Sequence, residues 1–206
     1  MHPPSERLRA YGRAKADVTA RLLMEAHLSL CSRCSTSVAQ YQRVSGCLPE
    51  ATLDDELDLL PFDRVWTAVK YTSVAPRKHG EVLPPSLFAT LPPPVRWRSV
   101  AVWPAPVKMT VLIRDADRGT ELRLYHWAPG STLPRRRHLG LEENVVLVGS
   151  YHNGDTRAHA GDWVVGAPGT EEVVTAGDEE CWCLSRVELP GVQFTRWRRW
   201  VAPFVS

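Results

Sequence analysis

The 206-residue chain lacks any long hydrophobic run and any strong imbalance of charge. No stretch approaches the roughly 18 apolar residues that a membrane span needs, and the first fifteen residues lack the apolar core of a secretory signal. We therefore expect a cytoplasmic protein that does not bind a membrane. A formal net charge of +2 identifies no class of partner, and we expect no direct binding to DNA.

Cysteine is also scarce, because the chain has only five, an odd number that does not fit a secreted disulfide framework. Cys31 and Cys34 follow His27 by four and seven residues, which places the three side chains on one face of a helix or of a helix end. Imidazole and thiolate ligands suit zinc, which takes four ligands in a structural site. His2 is the best candidate for the fourth ligand. The alternative is a buried helix face without a metal.

The spacing of apolar residues changes along the chain and indicates two domains. It is helical in the amino-terminal part, so we predict a small all-α domain over residues 1–75. Prolines interrupt any regular element in residues 76–94, which we predict to be a linker. Residues 95–206 contain short alternating segments between turn signals, which predict an antiparallel sandwich or barrel. The expected fold class is therefore α+β, with two separate domains.

Cys181 and Cys183 are separated by one residue in a predicted strand, so their side chains point to the same face. They could be a redox pair that forms a strained disulfide or reacts with an oxidant. They could equally be two small residues in the core of a sheet. The sequence leaves both interpretations open.

Two groups of residues resemble one protein family. The first group is His2, the long helix and the His-x3-Cys-x2-Cys motif. The second is Pro134-x-Arg-x-His-x-Gly-x-Glu142, followed by Val145-Val146-Leu147-Val148-Gly149, Gly161-Asp162 and Pro168-Gly169-Thr170. In both groups the chain resembles the ChrR-type anti-sigma factors, which join a zinc-binding anti-sigma domain to a cupin domain. The resemblance implies an all-α zinc-binding domain followed by an all-β cupin barrel.

The resemblance also implies a function, which is that of an anti-sigma factor and not of an enzyme. The protein would sequester an extracytoplasmic-function sigma factor in a 1:1 complex and release it on an oxidative or chemical signal sensed by the cupin domain. One structural zinc ion would bind to His2, His27, Cys31 and Cys34. The candidates for contact with the sigma factor form the apolar stripe of a predicted helix: Phe62, Val65, Trp66 and Val69.

The metal-binding positions of the cupin family are altered in this chain. Metal-binding cupins use two histidines separated by one residue, a glutamate four residues later and a histidine on a later strand. The corresponding residues here are Arg136, His138, Glu142 and Glu172. Because arginine is a permanent cation, we expect Arg136 to pair with the two carboxylates in place of a metal, so a second metal site is doubtful. A metal site completed by His126 or His152 is the alternative.

Two other functions remain open at this point. A cupin metalloenzyme, either a dioxygenase or an isomerase, would be centred on His138 and Glu142. A cupin regulator would instead bind a small organic ligand without a metal. Metal content distinguishes these proteins, because only the anti-sigma factor requires one tightly held zinc ion that depends on Cys31.

Overall fold

A computed structural model describes residues 1–45, 96–101 and 104–194 of the protein. The chain divides into two compact units, one built of helices and one of strands. The predicted linker and the predicted stripe of Phe62, Val65, Trp66 and Val69 lie outside the described residues. In the part that the structure describes, no helix is both long enough and apolar enough to span a membrane.

The helical unit contains three helices within residues 4–45. They are α1 Ser5–Gly12, α2 Val18–Leu30 and α3 Ser32–Ser45. Asp17 caps α2, because its carboxylate accepts a hydrogen bond of 2.9 Å from the backbone N–H of Ala20. Leu23 and Ala26 on α2 are completely buried, as expected for the apolar face of an amphipathic helix. Only Cys31 separates α2 from α3.

The β unit contains twelve strands within residues 96–101 and 104–194. They are β1 Arg98–Ala101, β2 Val107–Asp115, β3 Thr120–Trp127, β4 Arg136–His138, β5 Glu142–Val148, β6 Ser150–Asn153, β7 Thr156–His159, β8 Trp163–Gly166, β9 Glu171–Glu172, β10 Val174–Ala176, β11 Cys181–Glu188 and β12 Val192–Phe194. Six strands form an antiparallel sheet in the order β1-β2-β3-β11-β5-β8. Two three-stranded sheets, β10-β6-β7 and β12-β4-β9, complete the unit. The structure thus has the predicted α+β class.

One apolar cluster joins the six-stranded sheet to the sheet of β6, β7 and β10. Its members include Val107, Met109, Tyr125, Trp127, Val146, Tyr151, Ala158, Val174, Cys181 and Cys183. Strand β11 is central, because it pairs with β3 on one side and β5 on the other. Both cysteines of β11 are therefore core residues.

Candidate metal centre and the charged cluster of the β unit

A histidine and two cysteines meet where α2 ends and α3 begins. His27 lies in the last turn of α2, Cys31 follows the helix, and Cys34 lies in the first turn of α3. Cys31 has an extended backbone, with φ −122° and ψ 96°, and its N–H donates a hydrogen bond of 2.9 Å to the carbonyl of His27. The interruption is one residue long, so the three side chains stay together.

These three side chains and His2 form a set that could bind a metal. One nitrogen or sulfur atom from each residue lies within 4.8 Å of all the others. In a tetrahedral zinc site with bonds of about 2.0–2.3 Å, the ligand atoms are about 3.3–3.8 Å apart, so only small movements are needed. His27 and Cys34 are buried and Cys31 is half-buried. Two nitrogen and two sulfur ligands in this environment fit zinc.

The two thiols of this set also favour a bound cation. Burial, followed by the hydrogen bond and the charge of Cys31, raises the pKa of Cys34 to about 11 in the metal-free cluster. At neutral pH, Cys34 therefore becomes a thiolate only when a positive charge compensates it. A bound zinc ion would supply that charge, and its binding would release the proton of Cys34.

The second cluster of sequence-predicted residues lies in the β unit. Arg136 and His138 lie two residues apart on β4, which places them on the same face of the strand. Glu142 begins β5, and Glu172 on β9 lies directly opposite Arg136 in the strand register. Arg136, His138 and Glu142 have exposed fractions of only 5%, 1% and 2%.

Arg136 is hydrogen-bonded to Glu172 through two donors. Its Nε and Nη2 atoms lie 2.8 and 2.5 Å from Oε1 of Glu172, and Nη2 lies 3.8 Å from Oε2 of Glu142. His138 also lies between the carboxylates, with Nε2 3.1 Å from Oε1 of Glu172 and Nδ1 3.4 Å from Oε2 of Glu142. The other oxygen of Glu172 accepts a hydrogen bond of 3.1 Å from the side-chain amide of Asn153.

In this cluster, the attraction between opposite charges outweighs the cost of burying the charged groups. Burial alone would raise the pKa of Glu172, but the hydrogen bond from His138 and the charge of Arg136 lower it to about 2. Burial alone would lower the pKa of Arg136, but Glu142 and Glu172 raise it above its ordinary value. Arg136 and Glu172 are therefore a charged pair at neutral pH.

Gly166 on β8 provides space for the ring of His138. It lies opposite Glu142 in the register of β5 and β8. A Cβ atom at this position would lie 2.3 Å from Cε1 of His138, which is too close for any side chain. Gly166 could not be predicted from the sequence, because no local pattern links it to a residue on another strand.

A small cavity adjoins the charged cluster. It is lined by Tyr125, Trp127, Arg136, Glu142, Asn144, Tyr151, Glu172, Val174, Cys183 and Ser185. The sequence analysis did not identify Asn144 and Ser185, although Ser185 donates a hydrogen bond to Asn144 across neighbouring strands. The aromatic residues at this cavity were also missed as site residues, because their spacing resembles that of an ordinary strand core.

The two histidines proposed as substitute metal ligands are not part of the charged cluster. The ring of His126 stacks on Trp182, with ring centroids 4.3 Å apart. Its neighbours on β3, Tyr125 and Trp127, line the cavity, so His126 lies on the opposite face of that strand. In the described part of the chain, the set of possible metal ligands in the β unit comprises His138, Glu142 and Glu172, without His126 or His152.

Cys181 and Cys183 lie side by side on β11. Their Sγ atoms are 3.6 Å apart, both side chains are buried, and no disulfide joins them. The hydrogen bond to Cys181, together with burial, raises the pKa of Cys183 well above its ordinary value. Cys183 is therefore a protonated thiol at neutral pH. It also lines the cavity beside Arg136.

Comparisons with known proteins agree with this arrangement of two units. Residues 90–188 match the family model described as the ChrR cupin-like domain. The chain is 25% identical over 197 residues to the anti-sigma-E factor ChrR of Cereibacter sphaeroides, a match that covers 92% of this chain and 90% of that protein. Its fold resembles the crystal structure of Rhodobacter sphaeroides SigE in complex with the anti-sigma ChrR, with a TM-score of 0.61 and 24% identity over 90% of this chain and 97% of that chain. The predicted resemblance is thus confirmed.

Proposed function

Because residues 90–188 of this chain match the family model of the ChrR cupin-like domain, we propose that the protein is an anti-sigma factor. It binds one extracytoplasmic-function sigma factor in a 1:1 complex in the cytoplasm and does not act as an enzyme. The observation that carries the proposal is the convergence of His2, His27, Cys31 and Cys34 within 4.8 Å. The match to an anti-sigma factor over 92% of the chain supports it.

The zinc ion in this proposal has a structural role. His27 and Cys34 would bind it from two successive helices, so the metal would fix the angle between α2 and α3. Four protein ligands leave no open position for water or a substrate, which is the arrangement of structural zinc sites. A small helical unit has a small core, and metal binding then contributes directly to its folding free energy.

Co-purification with the cognate sigma factor tests this proposal. Cys34→Ser removes one ligand, so we expect it to lose both zinc and the sigma factor. Ser35→Ala is the matched control, because Ser35 is exposed in the same helical turn and should leave both unchanged. A Cys34→Ser variant that lacks zinc but retains the sigma factor at wild-type affinity would contradict the proposal.

The surface that contacts the sigma factor is a separate part of the proposal. We assign it to the apolar stripe of Phe62, Val65, Trp66 and Val69, on the evidence of its helical spacing. Trp66→Ala should weaken sigma binding and leave the zinc content unchanged. Loss of zinc in this variant, or unchanged affinity for the sigma factor, would reject the assignment.

We also propose that the β unit receives an oxidative or chemical signal through Cys181 and Cys183. A peroxide could oxidise the two thiols to a disulfide and would itself be reduced to an alcohol and water. The separation of 3.6 Å between the Sγ atoms supports this step, whereas the burial of both thiols slows it.

Peroxide treatment of the purified complex tests the redox proposal. The expected result is a mass loss of about 2 Da per chain, as two thiols become a disulfide, together with release of the sigma factor. The double variant Cys181→Ser with Cys183→Ser should bind the sigma factor normally and fail to release it. Normal release by that variant would show that the two thiols only pack in the core.

A further inference from the structure

We propose that Arg136 takes the place of the metal ion in this cupin-like domain, so that the β unit folds and acts without a metal. The inference goes beyond the anti-sigma function and is independent of the zinc site in the helical unit. It concerns the four positions at which metal-binding cupins carry their ligands.

The position of the guanidinium is the first argument. Oε1 of Glu172, which belongs to the set of possible metal ligands, lies 2.8 and 2.5 Å from two nitrogens of Arg136 and 3.1 Å from Nε2 of His138. Nη2 of Arg136 also faces Glu142 at 3.8 Å. The guanidinium thus contacts both carboxylates that would otherwise bind the metal.

Charge is the second argument. Arg136 supplies a permanent positive charge to two buried carboxylates. A divalent metal added to this cluster would place three positive charges against two negative ones in a buried volume, where like charges repel strongly. Arg136 has no easy route out, because its side chain is only 6% exposed and is bound at both Nε and Nη2.

The number of ligands is the third argument. His138, Glu142 and Glu172 are the only members of the possible metal set in the described β unit, and His126 faces away from it. Asn153 on β6 holds the second oxygen of Glu172. The cluster therefore links β4, β5, β6 and β9 without a metal. Metal loss from the β unit would therefore not be the trigger of a signal to this domain.

The metal content of the full-length protein, purified after growth with added zinc, tests the inference. Wild type should contain close to one zinc per chain, and Cys34→Ser close to none. Arg136→His combined with Glu172→His restores a family-type ligand set and should raise the content to close to two. The matched control is Arg137→His with Glu171→His, which changes the neighbouring exposed pair in the same strand register and should leave one zinc.

Cobalt spectroscopy locates the metal in each variant. Cobalt bound to the histidine and cysteine set has thiolate charge-transfer bands, whereas cobalt bound only to histidine and carboxylate lacks them. The second metal of the double variant should therefore add d–d absorption without new charge transfer. A wild-type protein with two metals would overturn the inference. So would a Cys34→Ser protein that retains one metal without thiolate bands, or a folded double variant with a single metal.

A thermal measurement covers the case in which the double variant does not fold. In the Cys34→Ser background, the melting temperature of a chain with Arg136 should not respond to added zinc, and a rise with zinc would overturn the inference. If wild type holds no zinc and the double variant gains one, the zinc-dependent anti-sigma proposal fails while the assignment of Arg136 stands.

Discussion

Glu172 should make the β unit sensitive to acid over a defined range of pH. Its pKa falls from an ordinary value of 4.5 to about 2 in the folded protein. Each unit of pKa difference corresponds to about 1.4 kcal/mol, so the carboxylate contributes about 3 kcal/mol to the free energy of unfolding. Because the folded pKa is the lower one, this contribution is complete above about pH 4.5 and is lost as the pH falls towards 2. With the side chain only 12% exposed, solvent screening reduces it little.

Urea unfolding between pH 3 and pH 6, followed by tryptophan fluorescence, measures this contribution. The signal reports mainly on the β unit, because Trp127, Trp163 and Trp182 are buried there and residues 1–45 contain no tryptophan. Glu172→Gln should lower the free energy of unfolding by about 3 kcal/mol at pH 6, as loss of a buried ion-pair partner does. Its stability should then depend less on pH below 4.5 than that of wild type.

Glu171→Gln is the matched control for this experiment. Glu171 precedes Glu172 on β9, but its side chain is 41% exposed and its contact with Arg135 is 3.5 Å long. Exposed pairs of this kind contribute about 0–1 kcal/mol, so this variant should follow wild type at every pH. Any loss of zinc in acid affects all variants equally, so it cancels when variants are compared at the same pH. If Glu172→Gln and wild type lose stability in parallel from pH 4.5 to pH 3, the reasoning is refuted.

Three further predictions concern residues within each unit. Gly166→Ala should destabilise the β unit by about 1–3 kcal/mol, because the added Cβ would collide with the ring of His138. Thermal unfolding measures this loss, and an unchanged melting temperature would show that the ring moves away. Asp17→Ala removes the cap of α2 and should lower the free energy of unfolding by about 1 kcal/mol, as measured by circular dichroism. An unchanged free energy of unfolding would mean that the cap is dispensable. Cys181 and Cys183 should react with a thiol reagent much more slowly in the native protein than after unfolding, and equal rates would contradict their burial.

The helical cluster could be predicted from sequence because its key ligands are local. His27, Cys31 and Cys34 lie within eight residues, so helix geometry alone brings them together. Alternation also predicted short strands in residues 95–206, but not their order in the sheets. Residues 144–151 contain parts of two strands, because Gly149 takes a positive φ of 72° that ends β5 before β6 begins.

Strands β4 and β9 could not be predicted, although they carry most of the charged cluster. They are three and two residues long, and Arg136-Arg137-His138 and Glu171-Glu172 contain no apolar residue from which to infer a period. The ion pair joins residues 36 positions apart in the chain, so no local rule brings them into contact. Family resemblance suggested which residues meet, and the register of β4 and β9 gives the physical reason.

The two clusters differ in chemistry, and under our proposals one would bind a metal and the other would not. In the helical unit, burial and the neighbouring Cys31 raise the pKa of Cys34, so its thiolate is stable only with a compensating cation. In the β unit, the carboxylates already have a cation, held by the hydrogen bonds that Arg136 donates to Glu172. A large apolar cluster also stabilises the β unit independently of these charges. A chelator should therefore abolish the native structure of the helices while the buried tryptophans of the β unit retain their fluorescence, and a joint loss of both signals would show that the metal stabilises the β unit as well.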